Sequence, residues 1–117
     1  MERQEEYAFE ATDRLGWVVR LRAIVFQRHL PQHPEMAEYL DEAKQTVTDP
    51  DVELTEEDGE VGYRVYYRMG LGRGKFEKCF LKVPVYYHKT LWGEEGEVAT
   101  FHLARQLGRG RMTWKRR

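Results

Sequence analysis

The sequence predicts an α+β fold: an early helix or helices packed on one face of an antiparallel sheet, a meander of about four strands. Three observations lead there. Residues 34–48 place apolar side chains at helical spacing. Later segments alternate apolar and polar residues with the period of a strand. Glycine-rich loops separate those segments. A length of 117 residues leaves room for one domain with one core.

Each element has its own signal. Tyr7–Ala11 alternates weakly and reads as an edge strand. Trp17–Arg22 puts Trp17, Val19 and Leu21 on one side and Val18, Arg20 and Arg22 on the other. Thr12–Gly16 between them reads as a hairpin turn. Residues 23–30 fit either a continued strand or a short helix stopped by Pro31. Pro34 suits a first helical turn, and Glu35 and Glu38 complement its positive end. Met36, Leu40, Ala43 and Val47 then recur at helical spacing until Asp49-Pro50 stops the helix.

Strands follow. Val61, Tyr63, Val65, Tyr67 and Met69 alternate with Gly62, Arg64, Tyr66 and Arg68. Gly70–Lys75 reverses the chain, its glycines permitting positive φ. Cys79, Leu81, Val83 and Val85 alternate with Lys78, Phe80, Lys82 and Pro84. Pro84 lacks an N–H, which predicts an edge strand or a bulge. A loop around Trp92–Gly96 makes the second reversal. The last full strand is Glu97–Leu103, with Ala99, Phe101 and Leu103 opposite Val98, Thr100 and His102. The tail around Trp114 has room for one more short strand.

Composition narrows the function classes. Without serine there is no serine nucleophile, and without asparagine there is no N-glycosylation sequon. Cys79 is the single cysteine, so neither an intrachain disulfide nor a cysteine-rich zinc site is expected. Met1–Glu6 contains no apolar run, and the apolar stretches are short of a membrane span. The expected compartment is the cytoplasm, with no membrane partner and no cofactor.

The formal net charge of -1 conceals a division. Residues 1–60 carry 16 acidic and 6 basic side chains, whereas residues 61–117 carry 4 acidic and 13 basic ones. Two readings follow: a half that binds a polyanion, or two halves that neutralise each other in the fold. On the predicted sheet, one face carries Arg64, Arg68, Lys78, Lys82, Thr100 and His102, with Tyr66, Phe80 and Tyr86 between them. Cations interleaved with aromatics suit a single-stranded nucleic acid, because they neutralise phosphates and stack on bases. An ordinary solvated outer face would have much the same composition.

Arg28–Glu35 is the most unusual local segment, with His29 and His33 four residues apart before a helix. Three readings are open. A histidine there is an acid or base suited to neutral pH. The two are a metal pair, although Pro31 breaks the helical register and a third ligand is lacking. Or His33 caps the helix and His29 lies on the surface. Gly70–Phe76 lacks the spacing and the following helix of a phosphate-binding loop, and reads as a basic hairpin loop. Trp17, Trp92 and Trp114 read as packing residues and Cys79 as a buried structural thiol.

His29-Leu-Pro-Gln-His33-Pro-Glu35, a helix, Asp49-Pro-Asp51, Tyr66-Tyr67-Arg68 and Val98-Ala-Thr100-Phe101 occur in that order. The arrangement resembles the phage- and mobile-element-associated nucleases of the barnase–EndoU–colicin–RelE-like fold, over roughly residues 20–115. The acidic stretch at 51–60 and the glycine loop depart from that pattern. The resemblance implies metal-independent RNA cleavage by a toxin-like hydrolase or mobile-element effector. The ribose 2′-OH attacks the adjacent phosphate, which needs a base, an acid and cationic support for the phosphorane. It casts His29 or His33 as proton carriers, Arg68 and Lys82 as phosphate holders and Thr100 as a hydrogen-bond donor. His102 is held as a reserve acid or base, and Arg64, Lys78, Lys82 and Tyr66 as the substrate-binding set. Two other functions fit the same residues: a nucleic-acid-binding module without catalysis, and a protein-interaction module using the acidic 49–60 segment. RNA and an inhibitory protein are the partners these readings name.

Overall fold

The computed structural model describes residues 6–55 and 62–117. Among the described residues, eight strands form one mixed sheet. They are β1 (Tyr7–Thr12), β2 (Val18–Arg22), β3 (Val52–Thr55), β4 (Tyr63–Arg68), β5 (Phe80–Thr90), β6 (Gly93–Val98), β7 (His102–Ala104) and β8 (Arg111–Lys115). Two α-helices, α1 (Ala23–His29) and α2 (Leu40–Thr48), are joined through a 3-10 turn at Pro34–Glu38. The strand order is β1-β2-β6-β5-β4-β3-β8, with β7 on β5. Every pair is antiparallel except β2 with β6.

This corrects the expected helix-packed meander of about four strands. The predicted meander survives as the centre, β4-β5-β6. Around it the sheet doubles in width. The β1–β2 hairpin adds through the parallel pair, and β3 and β8 add at the other end. β3 lies in the acidic stretch, where charge hides the alternation of Val52 and Leu54. The Glu97–Leu103 strand is two strands, because the chain leaves the sheet between Val98 and His102. The helix expected over 34–48 is likewise divided at Tyr39.

Pro84 lies in the central strand, not at an edge. Its carbonyl accepts the Ala99 N–H at 3.0 Å, on the side where β6 ends and β7 has not begun. The missing N–H therefore falls at a gap in the ladder and costs no sheet hydrogen bond. Gly96 makes the parallel join possible. A Cβ there would stand 2.7 Å from Val85 and 3.1 Å from Val19, so only glycine lets β2 and β5 flank β6 so closely.

The sheet has a core on each face. On one, α1, α2 and the 3-10 turn cover Val19, Leu21, Leu81, Val83 and Val85, with Met36, Tyr39, Ala43 and Val47 from the helical layer. On the other, Val52, Leu54, Val65 and Tyr67 pack with Phe80 and Leu107. Gly108 N–H donates to the Tyr67 hydroxyl at 2.9 Å, which ties the β7–β8 loop over this smaller core. Among the described residues no helix is long and apolar enough to cross a membrane.

Candidate active site

The two cores decide which side chains meet. The predicted cationic face assumes that the apolar sets of β4 and β5 share one core. They do not. Tyr67 pairs with Lys82 and Tyr66 with Val83, so Tyr67 and Lys82 lie on one face and Tyr66 with Val83 on the other. Arg64, Tyr66 and Arg68 consequently point to the helix-covered side. Phe80, Lys82 and Tyr86 point to the opposite side, and Lys82 stands in register with His102 on β7.

The helix-covered arginines are occupied. Glu53 is 1% exposed and forms ion pairs with Arg64 and with Arg14, the latter at 2.9 Å. Arg68 binds Asp49 at 2.7 Å, and Arg116 binds Asp49 and Asp51. These arginines hold Asp49 below the usual carboxylate range, the Arg68 hydrogen bond contributing most. Tyr66 is buried with its hydroxyl 2.5 Å from that of Tyr87, which donates to Asp13 at 2.8 Å. Burial pushes both tyrosines up, so they stay protonated. Tyr66 and Glu53 are buried, and the more exposed Arg68, Arg116 and Asp49 are already paired with one another. Asp49, Asp51 and Glu53 of the acidic 49–60 segment are likewise engaged, and residues 56–60 lie outside the described residues.

A second group does converge. The loop after α1 carries His33 onto His102, their rings stacked at 5.3 Å between centroids and 19° between planes. His33 Nδ1 lies 3.5 Å from Glu35 Oε1, an ion pair when the imidazole is protonated. Glu35 follows Pro34 in the first turn of the 3-10 helix, so the His-Pro-Glu spacing itself sets this contact. His102 Nδ1 is buried and has no hydrogen-bond partner among the described residues. Burial lowers the His102 pKa, with Lys82 and His33 acting in the same direction and Glu35 against. His102 is therefore neutral near pH 7 and able to take a proton.

The other predicted residues stand apart. His29 ends α1, and its carbonyl accepts the His33 N–H at 3.0 Å, which positions His33 through the backbone. Thr100 directs its hydroxyl toward Met36 Sδ at 3.8 Å. Lys78 is exposed just before β5. Sequence reasoning overlooked Glu35 as a partner of His33. It also did not join Arg105 to Lys75 and Lys78, because Arg105 meets them only through the β5–β7 pairing. Among the described residues no group of three metal-ligating side chains converges. No family model, no curated protein and no solved structure matches the chain.

Proposed function

We propose that the chain is a metal-independent ribonuclease that cleaves RNA by attack of the 2′-OH. The observation that carries this is the stacked His33–His102 pair beside Lys82. The reaction needs one base, one acid and a cation, and this corner offers one of each. Neutral His102 takes the 2′-OH proton as the 2′-oxygen bonds to phosphorus. His33, with Glu35 Oε1 3.5 Å from its Nδ1, is the group placed to give a proton to the departing 5′-oxygen. Lys82 neutralises the phosphorane. The products are a cyclic 2′,3′-phosphate and a free 5′-OH. The roles first given to Arg68 and Thr100 pass to Lys82, since Arg68 is bound to Asp49 and Thr100 faces Met36.

The test is cleavage of a mixed RNA substrate in EDTA. His33→Ala and His102→Ala should each lower the rate by about 100-fold or more. The rate should fall as pH drops, because the base must be neutral. The midpoint of that fall should lie below the ordinary histidine value of about 6.5. An absence of cleavage, or cleavage indifferent to both substitutions, overturns the reading. Strand binding without cleavage is the second reading, and one observation favours it. His102 Nδ1 lacks the acceptor that commonly orients a catalytic base.

A further inference from the structure

The β4–β5 loop and the end of β7 enclose a groove of about 490 Å³ lined by Gly74, Lys75, Glu77, Lys78, Cys79 and Arg105. Three of the six are cations and one is an acid. Lys75 lies against the Phe76 ring at 5.1 Å, and neither Lys75, Lys78 nor Arg105 forms an ion pair among the described residues. The cations come from two segments that the β5–β7 ladder holds together, Phe80 opposite Ala104 and Lys82 opposite His102. The loop is also held from behind. Arg73 stacks on Tyr39 at 4.3 Å and binds Glu42 at 2.8 Å, anchoring the segment that carries Lys75 to α2.

We infer that this groove is a phosphate subsite for a single-stranded nucleic acid whose next segment lies at the His33–His102 pair. The assignment rests on the ribonuclease reading for its direction, but the binding it predicts does not require cleavage. Arg105 is three residues from His102, about 10 Å along an extended strand. One phosphate cannot touch both ends, whereas a strand with phosphates at successive nucleotides can. Phe80 lies between them in the β5–β7 register, half-buried on the same side as Lys82, an aromatic neighbour for the intervening base.

The experiment measures binding of a single-stranded 2′-O-methyl RNA oligonucleotide, which has no free nucleophile and so is not cut. Affinity is followed by fluorescence anisotropy between 50 and 300 mM salt, roughly the range in which counterion release is resolved. Replacing Lys78 and Arg105 together by alanine should reduce the log–log salt slope by about 1.4, about 0.7 for each phosphate contact on a single strand. The charge-keeping exchange of Lys78→Arg with Arg105→Lys should retain the slope. Lys44→Ala, on the exposed side of α2, should leave it unchanged. Unaltered slope in the double alanine variant, or no binding at low salt, overturns the subsite. Capture by phosphatidylserine vesicles but not by the oligonucleotide overturns it too. Groove-dependent binding with no cutting of ordinary RNA upholds the subsite and removes the ribonuclease. Full cutting by the double alanine variant upholds the ribonuclease and removes the subsite.

Discussion

The β3–β4–β8 end of the sheet and the β5–β7 corner are both rich in cations, and they use them oppositely. At the first, Arg14, Arg64, Arg68 and Arg116 each meet a carboxylate from the acidic half of the chain. At the second, Lys75, Lys78, Lys82 and Arg105 form no ion pair among the described residues. The difference follows residue type as well as place. The paired group is all arginine, whose planar fork suits a fixed carboxylate. The unpaired group is mostly lysine, a mobile point charge better suited to a partner that arrives from solution. The charge split in the sequence is thus neutralised within the fold in the first region, while the second leaves the cations on which the proposed strand binding rests.

If the comparison is right, the two regions should respond to mutation in opposite ways. The largest effect belongs to Glu53. Glu53→Gln leaves Arg14 and Arg64 against a buried neutral amide and should cost about 3 kcal/mol, read from urea denaturation. A shift near zero would mean that this end is solvated and not a built polar core. A smaller effect belongs to the adjoining tyrosines. Tyr87→Phe removes the hydroxyl shared by Tyr66 and Asp13 and should cost about 1–2 kcal/mol. The same pair gives a pH dependence. Both tyrosines have folded pKa values raised above the unfolded value of about 10. Their contribution is complete below that pH and is lost as pH rises above it. The melting temperature of the native chain should therefore fall as pH rises above about 10, the value of unfolded tyrosine, and fall less in Tyr87→Phe. The smallest effect belongs to the corner. Lys78→Ala and Arg105→Ala should each change stability by no more than about 0.5 kcal/mol, as expected for exposed cations without a partner.

The fold class was not legible, but several single elements were, because their signals are local. The β1–β2 hairpin, the α2 stripe and the central meander each follow from periodicity within a few residues. What was not legible depends on long-range pairing. β3 is four residues long, and Glu53 at its centre looks solvent-facing until Arg14 and Arg64 are brought to it. Faces went wrong for a related reason. Alternation in Val65-Tyr66-Tyr67 and in Leu81-Lys82-Val83 tells which residues share a side of a strand, but not whether two strands feed the same core. Of the predicted site, His33, His102 and Lys82 come together, whereas Arg64, Arg68 and Tyr66 fall on the opposite face. Lys78 lies in the neighbouring groove. His33 was singled out with His29 because the two lie four residues apart just before a helix, and the structure stacks only His33 on His102.

The single parallel join bears on how the chain reaches its fold. Arg20 lies opposite Glu97, 77 residues later. A hairpin paired this way has no sheet partner until the residues between the two strands have been made. Until then the β2 edge is an open template for other chains. The sequence there is Val18-Val19-Arg20-Leu21-Arg22, with charges set into the apolar run. In the finished fold Arg20 binds Glu10 and Glu95, and a charge set into an apolar strand is the kind of residue that makes an unpaired edge a poorer template for other chains.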